Sequence, residues 1–145
     1  MISLIIPTYR NPEYLDICLK SAVEGQTLNN EIIVVVDGFV EESNEILEKY
    51  KGKIQVLPLE DNQGMQQALN LGVMNATNER IMIINDDNVL CTGWDSIWAD
   101  MSEGEVKTIN QIEPTGPGMF NFPAKDFGSS PNDFNYEGFL EYEKE

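Results

Sequence analysis

The sequence predicts an α/β protein in which a mostly parallel sheet is flanked by helices. Short apolar runs alternate with segments of helical periodicity along the first 100 residues. Several of these runs are β-branched without polar alternation, which is typical of strands that are buried on both faces. Strands that alternate with helices through short connections form parallel sheets with right-handed crossovers.

The first strand and helix are placed by their end signals. Residues 2–6 form a short apolar run, which predicts the first strand. An N-cap, a proline at the first helical position and an acid in the first turn follow, and these are Asn11, Pro12 and Glu13. The predicted helix presents one apolar face and ends near Gly25.

The same pattern continues along the chain. It predicts strands at residues 32–36, 54–57 and 80–84, and helices at about 42–51 and 64–76. Four strands therefore alternate with three helices. After about residue 100, glycine, proline, asparagine and aromatic residues replace the periodic pattern, so we expect an irregular C-terminal region.

Composition excludes several classes of function. The formal charge is −16, from 25 acidic and 9 basic residues, so nucleic acid is not expected as a partner. The chain has no histidine, which excludes a serine-histidine triad and the usual zinc ligands. Cys18 and Cys91 lack metal-type spacing, and we expect both to be buried free thiols.

The sequence gives no indication of a membrane protein. No apolar run approaches the roughly 18 residues that a membrane span needs, and the first strand begins at residue 2. We therefore expect no membrane span and no signal peptide, and we expect a cytoplasmic location.

Polar side chains follow all four predicted strands. The strand-end segments are residues 7–10, 37–38, 60–64 and 85–88. Ligands on parallel sheets bind at the carboxyl ends of the strands, so these segments predict one site. Taken singly, each polar residue is also compatible with an N-cap or a turn.

Asp86 and Asp87 are the sharpest feature of this edge. Adjacent carboxylates directly after a buried strand repel each other unless a cation or hydrogen-bond donors neutralise them. Oxygen ligands of this kind suit Mg²⁺ or Mn²⁺, which are usually shared between one or two carboxylates and substrate phosphates. The alternative is a solvated turn without a metal.

The joint spacing of several motifs resembles a known family. The chain reads N-x-G-x-x-x-A-x-N-x-G from Asn62 and continues to Asn85-Asp86-Asp87, with Pro7-x-Tyr9 after the first strand and Asp37 after the second. This pattern is similar to the family 2 glycosyltransferases of the GT-A fold. The resemblance covers residues 1 to about 95.

The resemblance implies a site for a nucleotide-diphosphate sugar. Tyr9 lies in the loop that would pack on the nucleobase, Asp37 would hydrogen-bond the base, and Asp86 would lie near the ribose. Asp87 would bind the metal, Mn²⁺ or Mg²⁺. The residues assigned to the nucleotide sugar are Pro7, Thr8, Tyr9, Asp37, Asn62, Gly64 and Asp86.

The sequence departs from the family pattern at several positions. Arg10 stands where the family usually has asparagine, and we expect it on the surface. Asn85 replaces the first acid of the D-x-D motif, and Asn78 replaces a common glycine.

The resemblance further implies metal-dependent transfer of a sugar, from a UDP-sugar and with inversion, to a glycan, lipid or protein acceptor. Residues 116–120 and 134–135 resemble a compressed version of the segment that leads to the family's acidic motif, which puts Glu143-Lys144 where Glu-Asp is expected. Glu143 is our candidate for the general base, and Glu141 and Asp133 are the alternatives. Lys144 stands where an aspartate is expected. A solvated acidic C-terminus is the other interpretation of residues 141–145.

We treat residues 1–145 as one GT-A-like domain, with residues 1–100 as the nucleotide-sugar-binding half and 101–145 as a short acceptor-side region. The chain is shorter than a typical family member, so a trimmed core without the base, or a non-catalytic nucleotide-sugar-binding module, stays open. A sugar-1-phosphate nucleotidyltransferase is disfavoured because the loop after the first strand lacks glycines. A receiver domain is disfavoured because its paired acids follow the first strand.

Overall fold

A computed structural model describes residues 1–98, 101–108, 112 and 124–144. The chain divides into two compact units, Met1–Ala99 and Asp100–Glu145. Among the described residues, no helix is both long and apolar enough to cross a membrane.

The first unit is a parallel sheet with helices between its strands, which confirms the predicted fold class. Within the described residues the sheet has four strands in the order β3-β2-β1-β4, and every pair is parallel. The elements in chain order are β1 Ser3–Thr8, α1 Pro12–Gly25, β2 Glu31–Asp37, α2 Val40–Lys49, β3 Gln55–Leu59, α3 Met65–Asn75, β4 Ile81–Ile83 and a 3₁₀ turn at Ser96–Trp98.

Two prolines lie inside strands, although Pro7 was predicted to follow the first one. Pro7 pairs with Val35 of β2, and the β1–β4 pairing ends at Ile5 with Ile83. At Pro7 the strand therefore has no partner on its β4 side, where the missing N–H would otherwise be needed. Pro58 extends β3, which lies at the edge of the described sheet.

The core lies on β1 and β2, the two inner strands. All side chains of β1 are buried, and the apolar run of β2 is 0–1% exposed. On one face of the sheet, Ile5, Ile33 and Val35 form a cluster with Ala68 of α3. This packing holds α3 against the two inner strands.

Gly72 allows α3 to lie directly on the sheet. A Cβ atom at this position would lie 2.4 Å from Ile5 Cγ2 and 3.2 Å from Val35 Cγ2. We expect Gly72→Ala to lower the free energy of unfolding by about 2 kcal/mol, because overpacking outweighs the better helix propensity of alanine. Chemical denaturation measures the change. Met74→Ala, at an exposed position of α3, is the control, and equal effects of the two substitutions would contradict the prediction.

Asp95 is a buried carboxylate at the amino-terminal edge of the sheet. It is 1% exposed and accepts hydrogen bonds from the backbone N–H groups of Thr27 and Leu28, at 2.6–2.9 Å. The Thr27 hydroxyl and Asn30 Nδ2 also donate to it, at 2.9 and 2.7 Å. Burial alone would raise the pKa of Asp95, but these hydrogen bonds outweigh burial and lower it.

The two cysteines differ from the prediction that both are buried. Cys18 is buried in α1, but Cys91 is exposed. Burial raises the pKa of the Cys18 thiol, and the nearby charges of Asp86 and Asp87 raise it further. The Cys18 thiol is therefore protonated and inert at neutral pH.

The second unit contains a helix where we expected irregular structure. Helix α4 spans Tyr136–Tyr142, and the side chain of Asn135 caps it by accepting from Gly138 N at 2.9 Å. Phe139 is buried and meets the ring of Phe127 edge-on at 5.6 Å. Aromatic side chains pack around this helix. The segment is too short for them to show a clear helical period, so the helix was not predicted from the sequence. Residues 116–120, which we compared with the family's acceptor segment, lie outside the described residues.

Candidate functional site

The four strand-end segments meet at the carboxyl edge of the sheet, as the sequence predicts. Contacts join the ends of neighbouring strands in the sheet order β3-β2-β1-β4, and the contact between β1 and β2 uses Phe39, which follows the predicted segment 37–38. Three sets of contacts connect the strand ends. One is centred on a buried carboxylate, one on an aromatic ring beside a guanidinium, and one on a carboxylate that accepts from a hydroxyl and an amide.

Asp37 connects the ends of β2 and β3. Its two carboxylate oxygens accept the backbone N–H groups of Gln63 at 2.6 Å and Gly64 at 2.9 Å. Asp37 is 4% exposed, and a Cβ atom on Gly38 would lie only 2.8 Å from Asn62 N. The segment before α3 is therefore held closely against the end of β2.

Thr8 and Asn11 connect the end of β1 to Asp86. Thr8 Oγ1 donates to Asp86 Oδ2 at 2.6 Å, and Asn11 Nδ2 donates to Asp86 Oδ1 at 3.3 Å. Asn11 occupies the predicted N-cap position of α1, but its side chain makes no cap hydrogen bond. The side-chain amide donates to Asp86 instead, so the predicted capping role of the Asn11 side chain is wrong.

The neighbouring carboxylates have different environments. Burial raises the pKa of Asp86 and the charge of Asp87 adds to this, while the hydrogen bonds from Thr8 and Asn11 oppose both effects. Asp87 is exposed, and only its Oδ1 receives a hydrogen bond from the described residues, from Asn88 Nδ2 at 2.9 Å. Asp86 is thus engaged by the protein, and Asp87 keeps an oxygen open to solvent.

This arrangement fits one metal ion with few protein ligands. No group of three or more acidic or cysteine side chains forms a metal cluster in the described part of the chain. Mg²⁺ and Mn²⁺ need no such cluster when one or two carboxylates, substrate phosphates and water complete the coordination. The exposed carboxylate of Asp87 is a ligand of this kind, and its role in binding a metal stays a prediction.

Tyr9, Arg10 and Phe39 connect the ends of β1 and β2. The rings of Tyr9 and Phe39 meet edge-on with centroids 5.9 Å apart, and Arg10 Cζ lies 4.6 Å from the centroid of Phe39. Arg10 also pairs with Glu42 of α2 at 3.0 Å. Arg10 and Phe39 have φ values of 52° and 54°, a conformation that costs non-glycine residues about 1–3 kcal/mol.

The remaining predicted residues lie in the same segments. Pro7 is buried within β1, and Asn62 is exposed before α3. Gly64 has a φ of 85°, a backbone conformation that favours glycine. An added Cβ atom would contact no neighbouring atom, so lack of space does not require glycine at this position. Two contacts of the site were not predicted from the sequence: Asn11 with Asp86, and Phe39 with Arg10. No local sequence pattern indicates either contact.

Glu143, the predicted general base, belongs to the second unit. It follows α4 as its C-cap residue, and its backbone N–H bonds Phe139 O at 3.1 Å. Glu141 lies within α4, and the Asp133 carboxylate accepts hydrogen bonds from the backbone N–H groups of Ser129 and Ser130. These contacts describe local structure, and the catalytic role of Glu143 stays a prediction.

Comparison with known protein families identifies the family of this chain. The sequence profile described as "Glycosyl transferase family 2" matches residues 3–108, which include every strand of the sheet. The chain belongs to glycosyl transferase family 2. This confirms the family resemblance that the sequence motifs predict.

Curated relatives of this family 2 domain are longer proteins. The chain is 34% identical to the putative glycosyltransferase EpsH of Bacillus subtilis over 156 aligned positions, which cover 97% of the chain and 43% of EpsH. It is 27% identical to the glycosyltransferase GlyG of Streptococcus pneumoniae, covering 88% of the chain and 45% of GlyG. The chain thus spans less than half the length of these relatives.

Solved structures confirm the GT-A fold of the family 2 domain. The structure of S. aureus TarS 1-349 in complex with UDP-GlcNAc is similar, with a TM-score of 0.58, 26% identity, and coverage of 66% of this chain and 28% of TarS. The mannosyltransferase PcManGT from Pyrobaculum calidifontis, in complex with GDP-Man and Mn2+, has a TM-score of 0.64 and 19% identity, covering 76% of this chain and 35% of that one. At 19% identity the second likeness concerns the fold alone.

Proposed function

We propose that this family 2 domain binds a nucleotide-diphosphate sugar at the carboxyl edge of its sheet and transfers the sugar to an acceptor hydroxyl. The observation that carries the proposal is the different environment of two adjacent acids. Thr8 and Asn11 hold Asp86, whereas Asp87 stays exposed beside it. A fixed first acid and an open second acid suit a site that presents one carboxylate to a metal-bound diphosphate.

The nucleotide end of the site is assigned to the β1 and β2 ends. Tyr9 is 45% exposed, which leaves its ring accessible for stacking on a nucleobase. Asp37 is engaged by Gln63 and Gly64, so an imide N–H of the base would use the lone pairs that these two bonds leave. Pro7, Asn62 and Gly64 are proposed to border the donor, as the family resemblance implies.

A UDP-sugar is the proposed donor. TarS, at 26–27% identity, was solved with UDP-GlcNAc and with UDP, which supports uracil as the base. The sugar and the acceptor are open; a glycan, a lipid or a protein would each supply a hydroxyl.

Asp87 is proposed to hold Mn²⁺ or Mg²⁺. When bound, such an ion neutralises diphosphate charge and stabilises the departing nucleoside diphosphate. The chain carries a formal charge of −16, so a diphosphate without a cation would meet net repulsion. Thr8 and Asn11 orient Asp86, and Asp86 is proposed to face the ribose.

Inverting transfer would need a general base for the acceptor hydroxyl. Glu143 is the proposed base, with histidine absent from the chain and only carboxylate, tyrosine or lysine available. We also propose that the protein acts in the cytoplasm.

A non-catalytic nucleotide-sugar-binding module is the second candidate. It is favoured by Lys144, which stands where the family's motif has an aspartate beside the base. Both candidates predict donor binding, and only the first predicts transfer to an acceptor.

Calorimetric titration tests the proposed function. We expect UDP or GDP to bind in the presence of Mn²⁺, and we expect binding to be lost when a chelator removes the ion, because the acidic protein repels the bare diphosphate. Titration with the glucose, galactose, N-acetylglucosamine and mannose conjugates then identifies the sugar. Binding that is equal with and without chelator would contradict the metal-dependent site, and no binding of any nucleotide would contradict the function.

A further inference from the structure

Asp86 and Asp87 lie in a loop between β4 and the 3₁₀ turn, outside every described strand and helix. β4 ends at Ile83, and the next residue makes the last backbone hydrogen bond to β1 among the described contacts, from Ile84 N to Ile5 O at 3.2 Å. The positions of the two carboxylates therefore depend on contacts that this loop makes outside the sheet.

Helix α1 supplies many of these contacts. The Cys18 thiol lies 3.7 Å from the backbone oxygen of Asn85, at the start of the loop. Farther along the chain, Trp94 Nε1 donates to Ala22 O at 3.1 Å. One side of α1 thus follows the loop from the end of β4 to the segment before the 3₁₀ turn.

Ser21 of α1 holds the loop shortly after the two acids. Its Oγ accepts the backbone N–H of Leu90 at 3.0 Å and donates to Cys18 O at 2.8 Å. Ser21 is 0% exposed and Leu90 is buried, so this N–H has no access to water as an alternative partner. Backbone bonds at Ile84 and Leu90 therefore fix both ends of the loop that carries the acids.

Helix stability does not explain a serine at position 21. Serine has a lower helix propensity than alanine, and a hydroxyl that bonds back to the preceding turn slightly destabilises a helix. Burial of a hydroxyl also costs free energy unless the group is hydrogen-bonded. The bond to Leu90 is the property that Ser21 supplies and that alanine could not.

We propose that Ser21 is a positioning residue for the metal site, which fixes Leu90 and thereby the place where the loop presents Asp87. This inference rests on the proposed function, in which Asp87 holds the ion, and extends it to a residue outside the site. Because Ser21 is fully buried, its hydroxyl contacts neither ion nor nucleotide and acts only through the loop. Metal affinity depends strongly on residues that orient the ligands.

A double-mutant cycle with Asp87 tests the inference. Ser21→Ala is expected to weaken the binding of UDP in Mn²⁺ about tenfold, because the loop loses one of its anchors. In the Asp87→Ala background the same substitution is expected to leave the affinity unchanged, since its effect passes through Asp87. Calorimetry measures all four proteins. Ser43→Ala, which alters a buried serine of α2, is the control and should keep the affinity.

Amide hydrogen exchange gives a second measurement that needs neither metal nor nucleotide. In Ser21→Ala, Leu90 is expected to lose protection relative to Val34 in the buried strand β2, because its hydrogen-bond acceptor is gone. Ser21→Cys repeats both measurements without leaving a cavity, since a thiol fills the space but accepts hydrogen bonds only weakly. It is expected to change affinity and exchange in the same direction as Ser21→Ala.

The outcomes separate this inference from the proposed function. An equal loss of UDP affinity from Ser21→Ala with and without the Asp87 carboxylate would overturn the inference, because the effect would then be general destabilisation. Unchanged affinity in both serine variants, or unchanged protection of Leu90, would overturn it as well, and the proposed function would stand. A wild-type chain that binds no nucleotide with Mn²⁺ would overturn the proposed function and this inference with it.

Discussion

Asp87→Ala is expected to weaken the binding of UDP about a hundredfold in the presence of Mn²⁺. The substitution removes the exposed carboxylate proposed to hold the ion, and without the ion the diphosphate faces a chain of formal charge −16. Fold stability should change little, because Asp87 is exposed and bonds only Asn88 among the described residues. Calorimetry with Mn²⁺ and with chelator measures the effect, and the variant should show the same weak binding in both.

Glu45→Ala is the matched control for this prediction. Glu45 lies on the exposed face of α2, and its removal changes the net charge by the same amount. If both variants lost affinity equally, the effect would come from net charge and the assignment of the metal to Asp87 would be wrong. Unchanged affinity in Asp87→Ala would contradict the assignment directly.

Asp95→Ala is expected to lower the free energy of unfolding by about 3 kcal/mol. The variant leaves the part-buried backbone N–H groups of Thr27 and Leu28 without their acceptor, and it also removes the partner of the buried Asn30 side chain. Asp95→Asn should be nearly as damaging, because its amide group would face other donors. Urea denaturation at pH 7 measures both variants, and Asp61→Asn, at an exposed position, is the control.

The effect of Asp95 on stability should depend on pH in a defined direction. The hydrogen bonds lower the pKa of Asp95 below its ordinary value of 3.8, despite the opposing effect of burial. Its contribution is therefore fully present above that value and is lost as the pH falls through the lower folded pKa. The stability difference between wild type and Asp95→Asn should shrink below about pH 4, and a difference independent of pH would contradict this role.

The sheet and its three covering helices could be predicted because their signals are local. The β-branched run of β2 and the apolar face of α1 report burial directly, and the predicted bounds agree with the structure to within about two residues. Pro7 was misplaced for a different reason. Whether a strand accepts a proline depends on which neighbour it pairs with at that point, and this is set by the length of β4.

The site could be predicted as a set of segments and not as a set of contacts. Position after a buried strand is enough to bring Thr8, Asp37 and Asp86 to one edge. The partners of these residues depend on how loops from different strands cross. Asn11 therefore looked like a helix cap, although it bonds a carboxylate 75 residues away in sequence.

Anomalous diffraction from crystals grown with Mn²⁺ and UDP would test the central claim most directly, because it locates the ion without assuming its ligands. We expect a manganese peak about 2.1 Å from a carboxylate oxygen of Asp87, with the diphosphate among the other ligands. UDP bound at this edge without manganese at Asp87, or manganese bound only elsewhere, would contradict the account.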